Sequence, residues 1–227
     1  MPRAHLREYA SPITVAGRLE TMKLYVAPRA PNPRRVTMFI AEKGIEGIEV
    51  VAVDLNAGEH RGAAFVARSP LSKVPVLELD NGRSLSESRA ICTYLEGLHP
   101  EPNLMGRDSD ERAFIEMRDR QIELYLFAAV AACIRHTHPG LAVLEGRQFA
   151  EFGQSQGQRV REVAAWLDGV LAAQPFMAGE RFTIADITAL CALDFAKGLM
   201  RYRPGDEGLG HLQAWHERIA QRPSARA

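Results

Sequence analysis

The stretch Lys73-Val74-Pro75-Val76-Leu77-Glu78-Leu79-Asp80-Asn81-Gly82-Arg83-Ser84-Leu85-Ser86-Glu87-Ser88-Arg89-Ala90-Ile91 decides the fold. Pro75 to Leu79 reads as a strand, Asp80-Asn81-Gly82 as a tight turn and Arg83 to Leu85 as the returning strand. Ser86 is suited to cap a helix running to about Leu98. Working outward, Lys23 to Val26 reads as a short buried strand, and Ala27 to Pro33 as a loop with three prolines. Pro33 suits a first helical position, Val36, Phe39 and Ile40 keep helical spacing, and Gly44 ends that helix. Ile48 to Val53 is β-branched and strand-like, and Glu59 to Ala67 is a short helix. The order is β-α-β-α-β-β-α.

Downstream the pattern changes. Pro100 and Pro102 mark a linker at 99–107, and no convincing strand follows Asp108. Arg112 to Ile134 is helical by composition. Val160, Val163, Ala164, Leu167 and Leu171 form a helical stripe. Thr183-Ile184-Ala185-Asp186 opens a helix in the manner of a capping box, with Phe182 and Ile187 as its staple, and a last helix spans about Leu209 to Ala220. Four segments result: an extension at 1–21, expected to be flexible or an over-long start; an α/β domain at 22–98; the linker; and an all-helical domain at 108–227.

Composition bounds the function. Lys plus Arg and Asp plus Glu both number 28, so no global basic field draws the chain to nucleic acid or an anionic membrane. No apolar run approaches the ~20 residues of a membrane span. Three scattered cysteines, Cys92, Cys133 and Cys191, form no CxxC pair and argue for a reducing, cytoplasmic setting.

The motifs Lys73-Val74-Pro75-Val76-Leu77, Glu87-Ser88-Arg89-Ala90-Ile91 and Phe182-Thr183-Ile184-Ala185-Asp186-Ile187, in this order, resemble the glutathione transferase superfamily from Met22 onward. Arg29-Ala30-Pro31-Asn32-Pro33-Arg34-Arg35-Val36 resembles a yeast and bacterial subgroup related to the theta class, which lacks the usual catalytic Ser, Tyr or Cys. The resemblance implies a thioredoxin-like N-terminal domain, an all-α C-terminal domain and a homodimer in which the first domain of one chain meets the second of the other. It also implies a detoxifying transferase with glutathione as co-substrate, a small electrophile as partner, and no metal.

Glutathione carries two carboxylates, an ammonium and a thiol whose free pKa is near ~8.5, so the site must satisfy charge and stabilise a thiolate. The resemblance assigns Glu87 and Ser88 to the γ-glutamyl end, with Arg89 beside them, and Val74-Pro75, as a cis bond, to strand-like pairing with the cysteinyl unit. His60 and Lys73 are candidates for the glycine carboxylate, or else surface charges. Ala30 stands where relatives carry the catalytic residue, and Tyr25 lies too early to replace it. Two substitutes remain for the thiolate: the helix start at Asn32-Pro33, and a water held by His136 or His138 in Arg135-His136-Thr137-His138-Pro139-Gly140. Those histidines have the alternative reading of favourable charges at a helix C-terminus. Phe127, Cys133, Ile134 and Leu141 are candidates for an apolar electrophile pocket. Conjugation is the leading reading. A glutathione-dependent disulfide or peroxide reductase and a non-catalytic binding module are its alternatives.

Overall fold

A computed structural model of the chain describes residues 22–227. The extension 1–21 lies outside the described residues. The first domain is a four-stranded mixed sheet with helices on its faces, and the second is all helical, so the thioredoxin-like and all-α expectations both hold. Strand β1 (Lys23–Val26) pairs in parallel with β2 (Glu49–Ala52) and antiparallel with β3 (Val76–Glu78), which pairs antiparallel with β4 (Ser84–Ser86). The strand order is β2-β1-β3-β4. Gly82, at φ 76°, closes the β3–β4 turn, where the Leu79 N–H donates to Arg83 O and the Arg83 N–H to the Asn81 side chain. A left-handed backbone at the last turn position suits glycine, as the Asn-Gly pair suggests.

Helix α1 (Pro31–Lys43) starts two residues before Pro33, at the first of the two prolines. Gly44 ends it in the left-handed conformation, its N–H turned back to Ala41 O and Ile40 O. The expected helix at 59–67 divides into a 3-10 turn at Glu59–Arg61 and α2 (Ala63–Val66), broken by Gly62. Helix α3 (Ser88–Leu98) corrects the Ser86 cap: Ser86 ends β4, and Glu87 is the N-cap, with φ 68° and no side-chain cap bond.

The second domain opens with α4 (Ser109–Gln121), capped by Asp108, whose side chain accepts the Glu111 N–H. A π-helical segment, Ile122–Phe127, joins it without a break to α5 (Ala128–Thr137). Then follow α6 (Ala142–Glu145), α7 (Ala150–Leu171), α8 (Ile184–Leu199) and α9 (Gly210–Ala220). No strand occurs among the described residues after 108, apart from an isolated bridge between Phe176 and Gly179. The Thr183–Asp186 capping box is present in full; the buried Asp186 also accepts the Trp215 indole N–H at 3.0 Å and the Met177 N–H at 2.9 Å.

One apolar core runs through both domains, from Leu24, Phe39, Leu77 and Ile91 to Ile122, Leu126, Ile187 and Trp215. Helix α1 is the strut between them, packing on α3 and α8. Polar contacts fix it along its length. Arg34 pairs with Asp194 of α8 at 2.6 Å, Lys43 with Glu96 at 2.6 Å, and Glu42 with Arg222 at 2.6 Å. Glu42 also accepts the Ser224 hydroxyl, so the C-terminal turn clasps α1. The linker is tied on both sides: Glu96 accepts the Leu104 and Met105 N–H groups, and Leu104 O accepts the Ile184 N–H.

Candidate functional site

Three chain segments converge where α1 and α3 begin. Ala30 is the N-cap of α1 and has no side-chain donor. Pro31 and Pro33 lack amide protons and the Arg34 N–H is taken by Ala30 O, so the Asn32 N–H is the free backbone donor of this turn. Two prolines thus narrow an ordinary helix-end anion site to one amide, with the exposed Asn32 side chain beside it.

The second segment is the loop into β3. The Val74–Pro75 peptide is cis. Among the described residues the Val74 N–H and C=O have no intramolecular partner, whereas the neighbouring Lys73 N–H and O are both bonded to the Ser69 hydroxyl. An unpaired strand-like edge is what an extended peptide pairs with.

The third segment is Glu87-Ser88. Glu87 carries a non-glycine residue at positive φ, a conformation that persists only where its surroundings hold it, and its side chain is exposed. Ser88, the first residue of α3, is buried. The helix start offers free N–H groups to a carboxylate, and Glu87 offers a carboxylate to an ammonium.

Arg35 connects these parts. It is only 2% exposed, and its Nη1 donates to Ser88 Oγ at 3.0 Å and to Asn32 Oδ1 at 3.5 Å. Its Nη2 donates to Glu123 Oε2 of the π-helical segment at 2.9 Å and lies 3.9 Å from Asp119 Oδ1. Its guanidinium sits 5.7 Å from the Phe127 ring centroid. Arg89 faces the same way: its Nε lies 2.9 Å from Asp119 Oδ2, and it pairs with Glu116. Asp119 is fully buried and also accepts the Thr188 hydroxyl at 2.5 Å. The structure thus engages Arg89 with carboxylates of α4. The roles of Arg35, Asp119 and Glu123 are not legible in the sequence, because charges on a helix ordinarily read as a solvated face.

His60 is buried beneath the domain surface, and its Nδ1 has no partner among the described residues. Burial, then the charges of Arg61 and Lys73, hold its pKa below the ordinary 6.5. Lys73 itself is exposed. A neutral buried imidazole beside two cations is a candidate donor for a carboxylate.

His136 and His138 stand at the C-terminal end of the α4–α5 rod. His136 Nδ1 accepts the Phe149 N–H at 3.3 Å, its Nε2 lies 3.7 Å from Glu145, and its ring meets those of Phe149 and Phe152 edge-on. His138 Nδ1 accepts the Gly140 N–H at 3.1 Å. The hydrogen bonds from Arg35 and the ion pairs of Arg89 go to α4 and the π-helical segment, while α5 packs chiefly on α7. The pocket candidates need correction: Ile134 is wholly buried and Cys133 nearly so, filling the core. An open cleft of about 570 Å³ lies on another face of the rod, lined by Leu124, Tyr125, Ala128, Ala132, Phe152 and Arg159. Of the four candidates, Phe127 stands beside the converging segments, its ring facing the Arg35 guanidinium.

Among the described residues, neither Tyr25 nor the buried thiols of Cys92 and Cys191 take the vacant role of Ala30. Tyr25 of β1 donates to Glu78 of β3 at 3.2 Å, and burial raises its pKa. Burial pushes the Cys92 and Cys191 thiols up to about 12, the wrong direction for a nucleophile. Among the described residues no group of His, Cys, Asp and Glu is placed to hold a metal, and no helix is long and apolar enough to cross a membrane.

A thioredoxin-like domain with a cis-proline loop, followed by an all-α domain that closes on α1 and α3, defines a two-domain class of protein. The comparisons agree with it. A model described as the glutathione S-transferase N-terminal domain matches residues 24–103, and one described as the C-terminal domain matches residues 127–218. Glutathione S-transferase 2 of Saccharomyces cerevisiae is 35% identical over 209 residues, covering 91% of this chain and 89% of that protein. Among solved structures, a glutathione S-transferase domain-containing protein of Marinobacter aquaeolei aligns with a TM-score of 0.85 at 42% identity, covering 89% of this chain and 98% of the other. Gtt2 from Saccharomyces cerevisiae aligns with a TM-score of 0.84 at 35% identity, covering 90% and 98%. The chain belongs to the glutathione S-transferase family, enzymes that take glutathione as co-substrate.

Proposed function

We propose that the protein conjugates the glutathione thiolate to small hydrophobic electrophiles, without a Ser, Tyr or Cys side chain at the sulfur, as in a theta-related subgroup. One observation carries the reading. The start of α1, which is anion-attracting, and Ser88 at the start of α3 are both bonded to a single nitrogen, Arg35 Nη1. A ligand with a carboxylate at α3 and a thiolate at α1 spans this gap, while Val74 pairs with the peptide between them. Glu87 and Ser88 serve the γ-glutamyl end, with Arg89 beside them paired to Glu116 and Asp119, Val74 and Pro75 the cysteinyl unit, and His60 and Lys73 the glycine carboxylate.

Thiolate attack on a soft centre needs the thiol pKa lowered by roughly two units, about 2.7 kcal/mol, for the thiolate to be the main species at neutral pH. A helix end supplies typically 0.3–1 kcal/mol and about 2 when partly buried. A second donor is therefore required, for which Asn32 and a water ordered by His136 are the candidates. A cysteine-based reductase is disfavoured by the buried, high-pKa thiols of Cys92 and Cys191.

The working form is a homodimer. Phe114, Met117, Leu124, Tyr125, Phe152 and Trp166 leave α4, the π-helical segment and α7 with an exposed apolar and aromatic face, which the first domain of a second copy covers. The setting is cytoplasmic and the role is disposal of reactive electrophiles. The deciding experiment incubates the protein with glutathione and a chromogenic aryl halide. Glutathione-dependent release of halide supports conjugation. Tight glutathione binding with neither conjugation nor peroxide reduction would overturn it in favour of a binding module.

A further inference from the structure

Arg35 is a buried cation that joins the two helix starts and is assigned no contact with the ligand in the reading above. We propose that Arg35, held by Glu123 of the second domain, is a positioning residue that makes Ser88 an obligate hydrogen-bond donor toward the carboxylate at the start of α3. The proposal rests on the reading of Ser88 as a glutathione contact and deepens it.

A serine hydroxyl has one proton and two lone pairs, so alone it can face an anion either way round. A guanidinium only donates. Arg35 Nη1, at 3.0 Å from Ser88 Oγ, therefore occupies a lone pair and leaves the proton free. Among the described residues no group accepts from that hydroxyl, and Ser88 is buried, so little bulk water competes. The free proton is then committed to whatever anion docks at the helix end. The same nitrogen reaches Asn32 Oδ1 at 3.5 Å, which biases the Asn32 amide to turn its N–H₂ outward.

The guanidinium is itself aimed from the other domain. Glu123 Oε2 takes Nη2 at 2.9 Å, and the Phe127 ring lies 5.7 Å from the guanidinium. Both belong to the π-helical segment, a wider turn of the kind found at functional positions. A planar fork held at one side by a carboxylate presents its other N–H in a fixed direction; a lysine ammonium cannot serve both partners this way. Affinity for the γ-glutamyl carboxylate thus depends on a residue of the helical domain that need not touch glutathione.

The test is a double-mutant cycle on the whole protein, reading glutathione Kd by calorimetry and KM and kcat by conjugation. Ser88→Ala in the wild-type background is expected to weaken glutathione about tenfold, mainly in KM. Glu123→Gln, which keeps size and an acceptor oxygen, is expected to raise KM three- to tenfold with kcat changed less than twofold. In the Glu123→Gln or Arg35→Met background, Ser88→Ala is expected to add less than a further threefold. A second readout is discrimination against a glutathione analogue whose γ-glutamyl carboxylate is a primary amide. It should fall at least threefold in Glu123→Gln, whereas a general loosening would scale both ligands alike. If Arg35→Met does not fold, Glu123→Gln carries both readouts. Ser88→Ala costing the same tenfold in every background overturns the proposal and leaves Ser88 as a contact. Ser88→Ala costing nothing in the wild-type chain overturns both.

Discussion

Arg35 and Ser88, 53 residues apart in sequence, are joined by a 3.0 Å hydrogen bond that ties the second turn of α1 to the first residue of α3. Those two helix starts are where a tripeptide with an anionic sulfur and an anionic carboxylate would find complementary partial charges. The bond makes their spacing a property of the core.

Replacing both Glu87 and Ser88 by Ala is expected to weaken glutathione binding by at least tenfold. The Ser88 contact, charge-assisted, accounts for about 1.5–3 kcal/mol. Calorimetry checks this, and an unchanged affinity would remove both residues from the γ-glutamyl subsite.

Activation of the sulfur is expected to be shared. Asn32→Ala and His136→Ala should each retain turnover, and the double variant should move the kinetic pKa of bound glutathione toward its free value of ~8.5. The pH profile of conjugation measures it. Three profiles identical to wild type would place the activating group elsewhere.

Asp119 is fully buried between Arg35, Arg89 and the Thr188 hydroxyl. Asp119→Ala leaves two cations facing a low-dielectric gap, which is expected to cost about 3–5 kcal/mol. Urea denaturation followed by circular dichroism should show a lower midpoint. A midpoint within experimental error of wild type would mean that the domains do not depend on this pair.

The C-terminal clasp should make stability pH-dependent in acid. Burial raises the pKa of Glu42, but the bonds from Arg222 and Ser224 outweigh it and hold the group below its ordinary 4.5. Because the folded-state pKa is the lower one, the stabilisation is fully present above 4.5 and is lost as pH falls through the folded value. Glu42→Gln should therefore be less stable than wild type at pH 7, with the gap closing as pH falls from 4.5 through the lower folded-state pKa. A gap that stays constant from pH 7 to 3 would exclude Glu42 from the acid limb.

Tyr125 and Trp166 are half-exposed on the face assigned to a second copy. Changing both to Glu should convert a dimer to a 25 kDa species in sedimentation at micromolar concentration. A wild-type chain that already sediments at 25 kDa would refute the dimer.

Local chemistry made the order of elements readable. Asn81-Gly82 dictates the β3–β4 turn, Gly44 the end of α1, and Thr183 with Asp186 the start of α8, each because a short-range steric or hydrogen-bonding rule acts within four residues. Ala30 was legible as a vacancy for the same reason: a methyl group donates nothing wherever it is placed. Boundaries were less so. Ser86 has the chemistry of a cap, but β4 pairing claims it and passes the cap to Glu87. What only the tertiary structure decided is which charges are partners. Arg35, Asp119 and Glu123 look like helix-surface residues in one dimension. Their pairing arises because α4 and the π-helical segment close on α1 and α3 and exclude the water that would otherwise solvate them.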